Sequence, residues 1–521
     1  MTGEFTPWPE ADARRYRESG IWRGIGFATV LSELARRYGE HTAVVDARGP
    51  VGYAALARRS ERVAAGLAAR GLRPGDIAVV QARNDADYVV LLFAAFRLGV
   101  IPVCALPAHR EREIGYFLDH TGAAAYLHPG EDDHRRIAAS TAREVRLVTT
   151  VAEAAASSGP VDALPPPPGG GDLALLQLSG GSTGVPKLIP RTHDDYLYSV
   201  RVAAEVCEID DRTVYLCALP AAHNFPLSSP GILGVLSVGG TVVMAPDPSP
   251  DTCFDLMDDA GVTMTAVVPA LAQAWLTAAR TRGRRPGSLR VLQVGGARLD
   301  AAHAAQVAPV LGCRVQQVFG MAEGLVCYTR LDAPDAVAHH TQGRPASPYD
   351  EIRIVDDRDR DVPDGHSGHL LARGPYTVRG YFRAAAHNPV AFTPDGYYRT
   401  GDLVRRTETG DLVVTGRAKD QINRGGEKIA APEVEELLRG HPDIHDAAVI
   451  AVPDPVLGER SCAVCVAAPD RDPTGKQIRR HLRELGVAAY KIPDLVRFVP
   501  HLPRTAVGKI DKKRLKEDLS R

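Results

Sequence analysis

The residues with the clearest chemical potential form one glycine-rich segment that ends in a lysine. Its members are Ser179, Gly180, Gly181, Ser182, Thr183, Gly184 and Lys187. Glycines let a backbone approach a ligand closely, while N–H groups, hydroxyls and an ammonium offset the negative charge of a polyphosphate. The apolar run Leu173 to Leu178 precedes the segment and predicts a strand that leads into it. We therefore predict a phosphate-binding loop.

Two other interpretations of this segment fit its residues less well. A flexible linker is suggested by the four prolines and three glycines of residues 165–171, but the following run, Asp172 to Leu178, is too apolar for a solvated linker. A Walker A loop needs Gly-Lys followed directly by Ser or Thr, whereas here two residues separate Gly184 from Lys187.

Four later stretches place glycines or polar residues where strands are predicted to end, which is where open α/β sheets bind ligands. They are Val294 to Leu299 (VGGARL), Phe319 to Gly324 (FGMAEG), Tyr398 to Asp402 (YRTGD) and Pro503 to Lys509 (PRTAVGK). Glu323 suits a magnesium ion near phosphates, and Asp402 could accept hydrogen bonds from both hydroxyls of a ribose. Each stretch alone is common on protein surfaces, so the information lies in their order along the chain.

Composition is typical of a globular enzyme. A chain of 521 residues is longer than one hydrophobic core usually accommodates, so we expect more than one domain. The formal net charge of −1 gives no electrostatic reason to expect nucleic acid or an anionic membrane as a partner. We find neither a secretory signal nor an apolar run of membrane-spanning length, and we expect a cytoplasmic protein. The eight cysteines lack paired metal spacing; Cys462 and Cys465 fall on a predicted strand that places them on opposite faces, which disfavours a zinc or redox site.

The elements that position these residues alternate between helix and strand. Three rounds between Phe27 and Phe319 predict mostly parallel sheets covered by helices, an α/β fold without tandem repeats. From Glu351 the pattern changes to short strands and turns. The region after Asn423 predicts a compact α+β unit.

The order of these motifs resembles that of the adenylate-forming superfamily, which includes acyl-CoA ligases, luciferases and the adenylation domains of nonribosomal peptide synthetases. SGGSTGVPK, YRTGDLV, GRAKDQINRGGEKI and PRTAVGKI are similar to successive family motifs, so the resemblance covers essentially the whole chain. It implies a large N-terminal domain, residues 1–418, of two αβαβα-type subdomains plus a β-barrel-like subdomain. A small mobile α+β domain, residues 419–521, would follow, with Lys419 as the hinge.

The sequence looks closest to the stand-alone aryl-acid adenylating branch, the 2,3-dihydroxybenzoate- and salicylate-AMP ligases of siderophore assembly. HNFPLSSPG, FGMAEGLVCYTRL and GRAKDQINRGGEK carry this resemblance. Asn224 stands where amino-acid-activating domains have an aspartate, and an amide suits a phenolic hydroxyl rather than an ammonium. Ser229 matches a serine of dihydroxybenzoate enzymes that is cysteine in salicylate enzymes, so we predict a 2,3-dihydroxybenzoate-like acid.

Two positions depart from that branch. Phe225 is tyrosine in some relatives, and Cys327 is asparagine in several. Salicylate, 3-hydroxypicolinate and 3-hydroxyanthranilate therefore remain alternative substrates.

The resemblance implies a role for each matched residue, with ATP and Mg²⁺ as cofactors. Lys509 would bridge the carboxylate and the α-phosphate, and the catalytic set is Lys509, His223 and Glu323, with Glu323 as the metal ligand. The nucleotide set is Ser179, Gly180, Gly181, Ser182, Thr183, Gly184, Lys187, Gly295, Gly296, Ala297, Val318, Gly320, Met321, Ala322, Asp402, Val414 and Arg417. The acid-binding set is His223, Asn224, Phe225, Ser229, Gly296, Val318 and Val326.

Purely structural roles remain open for several of these residues. His223 could be a core histidine, Asn224 a turn residue, Asp402 and Arg417 an ion pair, and Lys509 a surface lysine.

The predicted thiol acceptor is a separate molecule. Twelve residues follow Lys509, too few for a carrier domain, so we expect an aryl carrier protein bearing phosphopantetheine to act in trans. An aryl-CoA ligase and a non-catalytic acyl-binding protein are the alternatives. No nucleic-acid or membrane partner is expected.

Overall fold

A computed structural model describes residues 5–109, 111–130, 137–138, 141, 144–179, 187–417, 421–424, 427–454, 457–485, 489–505 and 508–519. The chain divides into two compact units. The first comprises Met1–Glu351 and Ala372–Tyr398, and the second Ile352–Leu371 and Arg399–Arg521. The domain boundary after residue 418 stays a prediction, and the proposed hinge, Lys419, lies outside the described residues.

The larger sheet of the first unit has nine strands and is parallel through its centre. In spatial order its strands are Arg344–Pro345, Val326–Tyr328, Arg314–Gly320, Val291–Gly295, Met264–Val267, Val214–Cys217, Thr241–Met244, Thr42–Asp46 and Gly49–Gly52. Pairing is antiparallel only toward the two edges of the sheet. Phe254, Trp275 and Leu311, from three different helices, share a buried core with Leu216, Leu292 and other strand residues. This core fixes the carboxyl strand ends that carry the predicted site.

The second sheet of this unit has six strands and carries the predicted phosphate loop. Its spatial order is Leu147–Thr150, Ala125–His128, Ile77–Gln81, Ile101–Ala105, Leu173–Leu178 and Leu188–Thr192. The pairs are parallel except for the last, in which Leu188–Thr192 runs antiparallel to Leu173–Leu178. The predicted strand at Leu173–Leu178 is confirmed, whereas the return strand was not predicted. The loop therefore joins two hydrogen-bonded neighbours rather than crossing to a helix.

Two helices of the first unit begin at capping residues that the sequence supplies. Asp85 caps one helix by accepting from the N–H of Tyr88, and Thr192 and Asp195 form a capping box for another. The helices are Glu10–Glu18, Phe27–Tyr38, Tyr53–Ala69, Ala86–Leu98, Glu111–Thr121, Val151–Ala155, His193–Val206, Asn224–Ser228, Gly231–Ser237, Pro250–Ala260, Pro269–Arg282, Ala301–Leu311, Asp335–His340 and Asn388–Ala391, with a 3₁₀ turn at Val161–Ala163.

The second unit contains two sheets. The strands Glu351–Val355, Gly368–Arg373, Tyr398–Arg406 and Leu412–Arg417 form one of them, in that order. The other contains Glu427–Ala430, Gln421–Arg424, Gly458–Ala467 and Ile444–Asp454, with Leu495–Phe498 parallel to Gly458–Ala467. Its helices are Ala431–Arg439, Gly475–Glu484 and Lys512–Leu519, and Ala489–Lys491 is a 3₁₀ turn.

The predicted placement of Cys462 and Cys465 on opposite faces of a strand is confirmed. Cys462 and Cys465 contribute to different hydrophobic clusters, in agreement with opposite faces of their strand. All eight are buried free thiols. Within the described ranges no helix combines the length and the apolar character needed to cross a membrane.

Candidate active site

Two hydrogen bonds join the ends of the predicted phosphate loop. The N–H of Ser179 donates to the carbonyl oxygen of Lys187 at 2.9 Å, and the N–H of Lys187 donates back to Oγ of Ser179 at 2.9 Å. These two hydrogen bonds continue the hairpin register in which Leu178 faces Leu188. Residues 180–186 lie outside the described part of the chain, so the roles of Gly180, Gly181, Ser182, Thr183 and Gly184 stay predictions.

One buried tyrosine connects Lys187 with Glu323. Nζ of Lys187 lies 5.2 Å from the ring centroid of Tyr381, and the Tyr381 hydroxyl donates to Oε1 of Glu323 at 2.7 Å. Burial raises the pKa of Tyr381 above its ordinary value, and the same cause raises that of Tyr398, whose hydroxyl lies 3.0 Å from that of Tyr381. Both phenols therefore remain protonated. The structure brings the predicted phosphate lysine and the predicted metal ligand to opposite parts of one aromatic side chain.

The surroundings of Glu323 fit a magnesium ion held together with phosphates. The side chain is 6% exposed, and the Tyr381 hydroxyl that donates to it is neutral, so this contact orients the carboxylate without balancing its charge. Mg²⁺ commonly binds one or two carboxylates plus substrate phosphates and waters, rather than a complete protein cage.

A buried arginine that sequence analysis missed holds the turn that carries Glu323. Arg191 is 1% exposed, pairs with Asp195 at 2.6 Å and donates to the carbonyl oxygen of Ala322 at 2.8 Å. The N–H of Val378 donates to the carbonyl oxygen of Glu323 at 2.8 Å. The predicted run of Gly320, Met321, Ala322 and Glu323 is therefore fixed from two sides. The sequence feature that could have indicated this ion pair is an arginine and an aspartate four residues apart, shortly after the glycine-rich segment.

The predicted acid pocket assembles at the carboxyl ends of two parallel strands. Gly295 and Val318 are paired in register, and Gly320 faces Val326 on the next strand. A Cβ atom at Gly295 would lie 2.8 Å from Cζ of Phe225, so the ring of Phe225 packs directly on this backbone. Gly296 has φ +79°, a conformation that favours glycine, and it leads into Ala297. Sequence-distant members of the predicted pocket are thus neighbours.

A short helix that was not predicted presents the remaining pocket residues. His223 precedes the Asn224–Ser228 helix, and its Nδ1 accepts from the N–H of Phe225 at 3.3 Å. A neutral histidine whose Nδ1 accepts carries its proton on Nε2. Oδ1 of Asn224 accepts from the hydroxyl of Tyr196 at 2.9 Å, another contact that sequence analysis missed. The cap and this hydrogen bond order the pocket side of the helix.

Ser229 and Cys327 occupy different surroundings. Ser229 is 4% exposed and lies beside the hydroxyl of Tyr328. Cys327 is fully buried in the Val326–Tyr328 strand. Because side chains alternate along a strand, Cys327 faces away from the side that carries Val326. The position at which this chain has cysteine and several relatives have asparagine therefore lies on the opposite face of the strand from Val326, the predicted pocket residue.

The remaining predicted residues belong to the second unit. Asp402 is buried, and its backbone is in register with that of Arg417 across two antiparallel strands. Val414 lies on the same strand as Arg417. Lys509 is exposed in a turn closed by a hydrogen bond from the N–H of Thr505 to its carbonyl oxygen at 2.7 Å. Lys509 therefore lies at the surface of the second unit.

Comparisons with known proteins agree with this arrangement. A family model described as AMP-binding enzyme matches residues 31–382, and one described as AMP-binding enzyme C-terminal domain matches residues 433–509. The chain is 51% identical to a 2,3-dihydroxybenzoate-AMP ligase of Bacillus subtilis (strain 168), over 100% of this chain and 98% of that protein. It is 48% identical to a Streptomyces protein named salicylyl-CoA synthase / salicylate adenylyltransferase, over 99% of this chain and 98% of that protein.

A solved structure extends the agreement to the fold. The apo structure of MbtA from Mycobacterium smegmatis is 47% identical, has a TM-score of 0.76, and is matched over 99% of this chain and 98% of that chain. The predicted adenylate-forming fold is confirmed. The chain belongs to the AMP-binding enzyme family, with both its main and its C-terminal domain represented.

Proposed function

We propose that this protein uses ATP to activate an aryl carboxylic acid as an aryl-adenylate and then transfers the acyl group to a thiol. The acid is 2,3-dihydroxybenzoate-like, and the thiol is the phosphopantetheine of an aryl carrier protein in siderophore or nonribosomal peptide biosynthesis. The observation that carries this proposal is the packing of the Phe225 ring on the backbone of Gly295, together with the neighbouring Asn224 amide, whose oxygen accepts from the Tyr196 hydroxyl. An amide accommodates a phenol without a compensating cation. The similarity to a 2,3-dihydroxybenzoate-AMP ligase supports the same substrate class.

In the first half-reaction a carboxylate oxygen attacks the α-phosphorus of ATP. The bond from that phosphorus to the pyrophosphate oxygen breaks, and pyrophosphate leaves. Lys509 offsets the charge between carboxylate and α-phosphate, while Lys187, Ser182 and Thr183 hold the leaving group. Mg²⁺ held by Glu323 would supply additional charge neutralisation at the phosphate oxygens. Asp402 and Arg417 position the ribose, so rate acceleration comes mainly from orientation and electrostatics.

In the second half-reaction the thiol sulfur attacks the acyl carbon of the adenylate. The bond from that carbon to the phosphate oxygen breaks, AMP leaves, and the thiol proton is lost to solvent. Withdrawal of Lys509 by rotation about Lys419 would make room for the thiol, since a lysine on a turn can be removed together with its domain.

ATP–pyrophosphate exchange with a panel of aryl acids tests the adenylation step. We expect exchange with 2,3-dihydroxybenzoate and with salicylate, the former with the higher kcat/KM because Ser229 can bond the second ring hydroxyl. Absence of exchange with every aryl acid would overturn the proposed function. A clear preference for salicylate would overturn the role given to Ser229.

A second candidate, an aryl-CoA ligase, is favoured by the salicylyl-CoA synthase relative. It shares the adenylation step and differs in the acceptor. Loading assays with coenzyme A and with a pantetheinylated aryl carrier protein separate the two: efficient acylation of coenzyme A with an unloaded carrier protein would favour the ligase.

A further inference from the structure

The amide of Asn224 is held in one orientation by two donors on its oxygen. Oδ1 accepts from the Tyr196 hydroxyl at 2.9 Å and lies 3.2 Å from the Ser228 hydroxyl. The Ser228 proton is shared, because the same hydroxyl lies 3.0 Å from the backbone oxygen of Asn224. The Tyr196 hydroxyl is therefore the donor whose proton is directed to Oδ1 alone. Among the described residues Nδ2 of Asn224 has no hydrogen-bond partner.

The neighbours of Tyr196 fix both the position of its ring and the direction of its hydroxyl proton. Its side chain is fully buried, and the guanidinium carbon of Arg191 lies 4.6 Å from its ring centroid. Nε2 of Gln177 donates to its hydroxyl at 3.4 Å, which leaves the phenolic proton for Asn224. Burial raises the pKa of Tyr196 above its ordinary value, so it remains a donor throughout the working pH range. Gln177 lies on the strand that enters the phosphate loop, and the contact thus joins the loop strand to the acid pocket.

From these contacts we propose that Tyr196 is a positioning residue that makes Asn224 present a hydrogen-bond donor, so that the site selects aryl acids with an acceptor ortho to the carboxylate. The proposal rests on the proposed function and specifies the substrate. With Oδ1 occupied, the Nδ2 hydrogens are the groups left to meet the ortho substituent.

Salicylate and anthranilate form a matched pair for this selection. The phenol of salicylate donates its proton to its own carboxylate and still offers oxygen lone pairs to Nδ2. The amine of anthranilate donates one proton to the carboxylate and directs its second N–H outward, against the N–H groups of Asn224. Two facing donors leave both unpaired, which corresponds to a loss of about 10- to 100-fold in kcat/KM. A heteroaryl acid with an unprotonated ring nitrogen at this position would be accepted.

The test measures the ratio of kcat/KM for salicylate to that for anthranilate by ATP–pyrophosphate exchange. The wild type should favour salicylate by at least about tenfold. Tyr196→Phe keeps the ring and removes the donor, so the amide can turn and the ratio should fall several-fold toward unity. Tyr198→Phe is the matched control, because Tyr198 lies on the same helix but bonds Ser347 at 2.6 Å; its ratio should equal that of the wild type.

A second variant keeps the proposal testable if Tyr196→Phe fails to fold. Asn224→Asp presents only acceptors and should reverse the preference toward anthranilate. Equal use of the two acids by the wild type would overturn the proposal, as would an unchanged ratio in a folded Tyr196→Phe or, where that variant does not fold, in Asn224→Asp. These results differ from failure of the proposed function, which would appear as no exchange by the wild type with any aryl acid.

Discussion

The contact between Tyr381 and Glu323 gives the most quantitative prediction. Tyr381→Phe removes one hydroxyl that donates to a buried carboxylate at 2.7 Å, and it keeps the aromatic ring that faces Nζ of Lys187 at 5.2 Å. The carboxylate then loses the hydroxyl that donates to it. We expect the catalytic efficiency for MgATP to fall, with a smaller change in the KM for the aryl acid.

The magnitude follows from the type of hydrogen bond. A bond from a neutral donor to a buried charged group contributes about 1.5–3 kcal/mol, which corresponds to about 10- to 150-fold in rate. The hydroxyl of Tyr398 remains beside Glu323 and limits the loss, so we expect a decrease of about 10- to 30-fold. Tyr381→Leu also removes the ring from Lys187, and a further loss of about 0.5–2 kcal/mol is expected.

The assay is ATP–pyrophosphate exchange at several Mg²⁺ concentrations, with thermal unfolding as a check on folding. Tyr397→Phe is the matched control, since the Tyr397 hydroxyl donates to Glu351 at 3.2 Å and not to Glu323. If Tyr381→Phe and Tyr397→Phe have the same kcat/KM for MgATP, the positioning role of Tyr381 is refuted. An equal effect on the KM values for acid and MgATP would instead indicate a general loss of structure.

The other predictions address three further positions. Lys509→Ala should abolish exchange but leave thiolation from a supplied aryl-adenylate largely intact; loss of both half-reactions would contradict its assigned role. Gly295→Ala places a Cβ 2.8 Å from Cζ of Phe225 and should raise the KM for the acid about tenfold, at a stability cost of about 1–3 kcal/mol measured by urea unfolding. Burial raises the pKa of Asp350 to about 7, from 3.8 in the unfolded chain, so its contribution to stability is present below about pH 4 and is lost as the pH rises through 7. Asp350→Asn should therefore raise the melting temperature by a few degrees at pH 8 relative to wild type and by less at pH 5; equal shifts at both pH values would exclude titration of Asp350.

The sequence by itself determined the alternation of helices and strands and the family. Hydrophobic periodicity is a local property, so the strand Leu173–Leu178 could be predicted with its observed bounds. The order of the motifs identified the adenylate-forming superfamily. It also indicated Lys187 and Glu323, which both contact Tyr381, and Phe225, Gly295 and Val318, which are neighbours. The roles of residues 180–186 and of Lys419 stay predictions.

Tertiary structure alone decided which buried side chains contact the predicted site residues. Tyr381 lies 58 residues from Glu323, and Tyr196 lies 28 residues from Asn224, so neither contact has a local sequence signature. The short Asn224–Ser228 helix was missed because five residues are too few to show a period. The return strand Leu188–Thr192 was missed because its identity depends on pairing with Leu173–Leu178. Sequence names the residue types that can do the chemistry, whereas hydrogen-bond partners distant along the chain decide which atom each one presents.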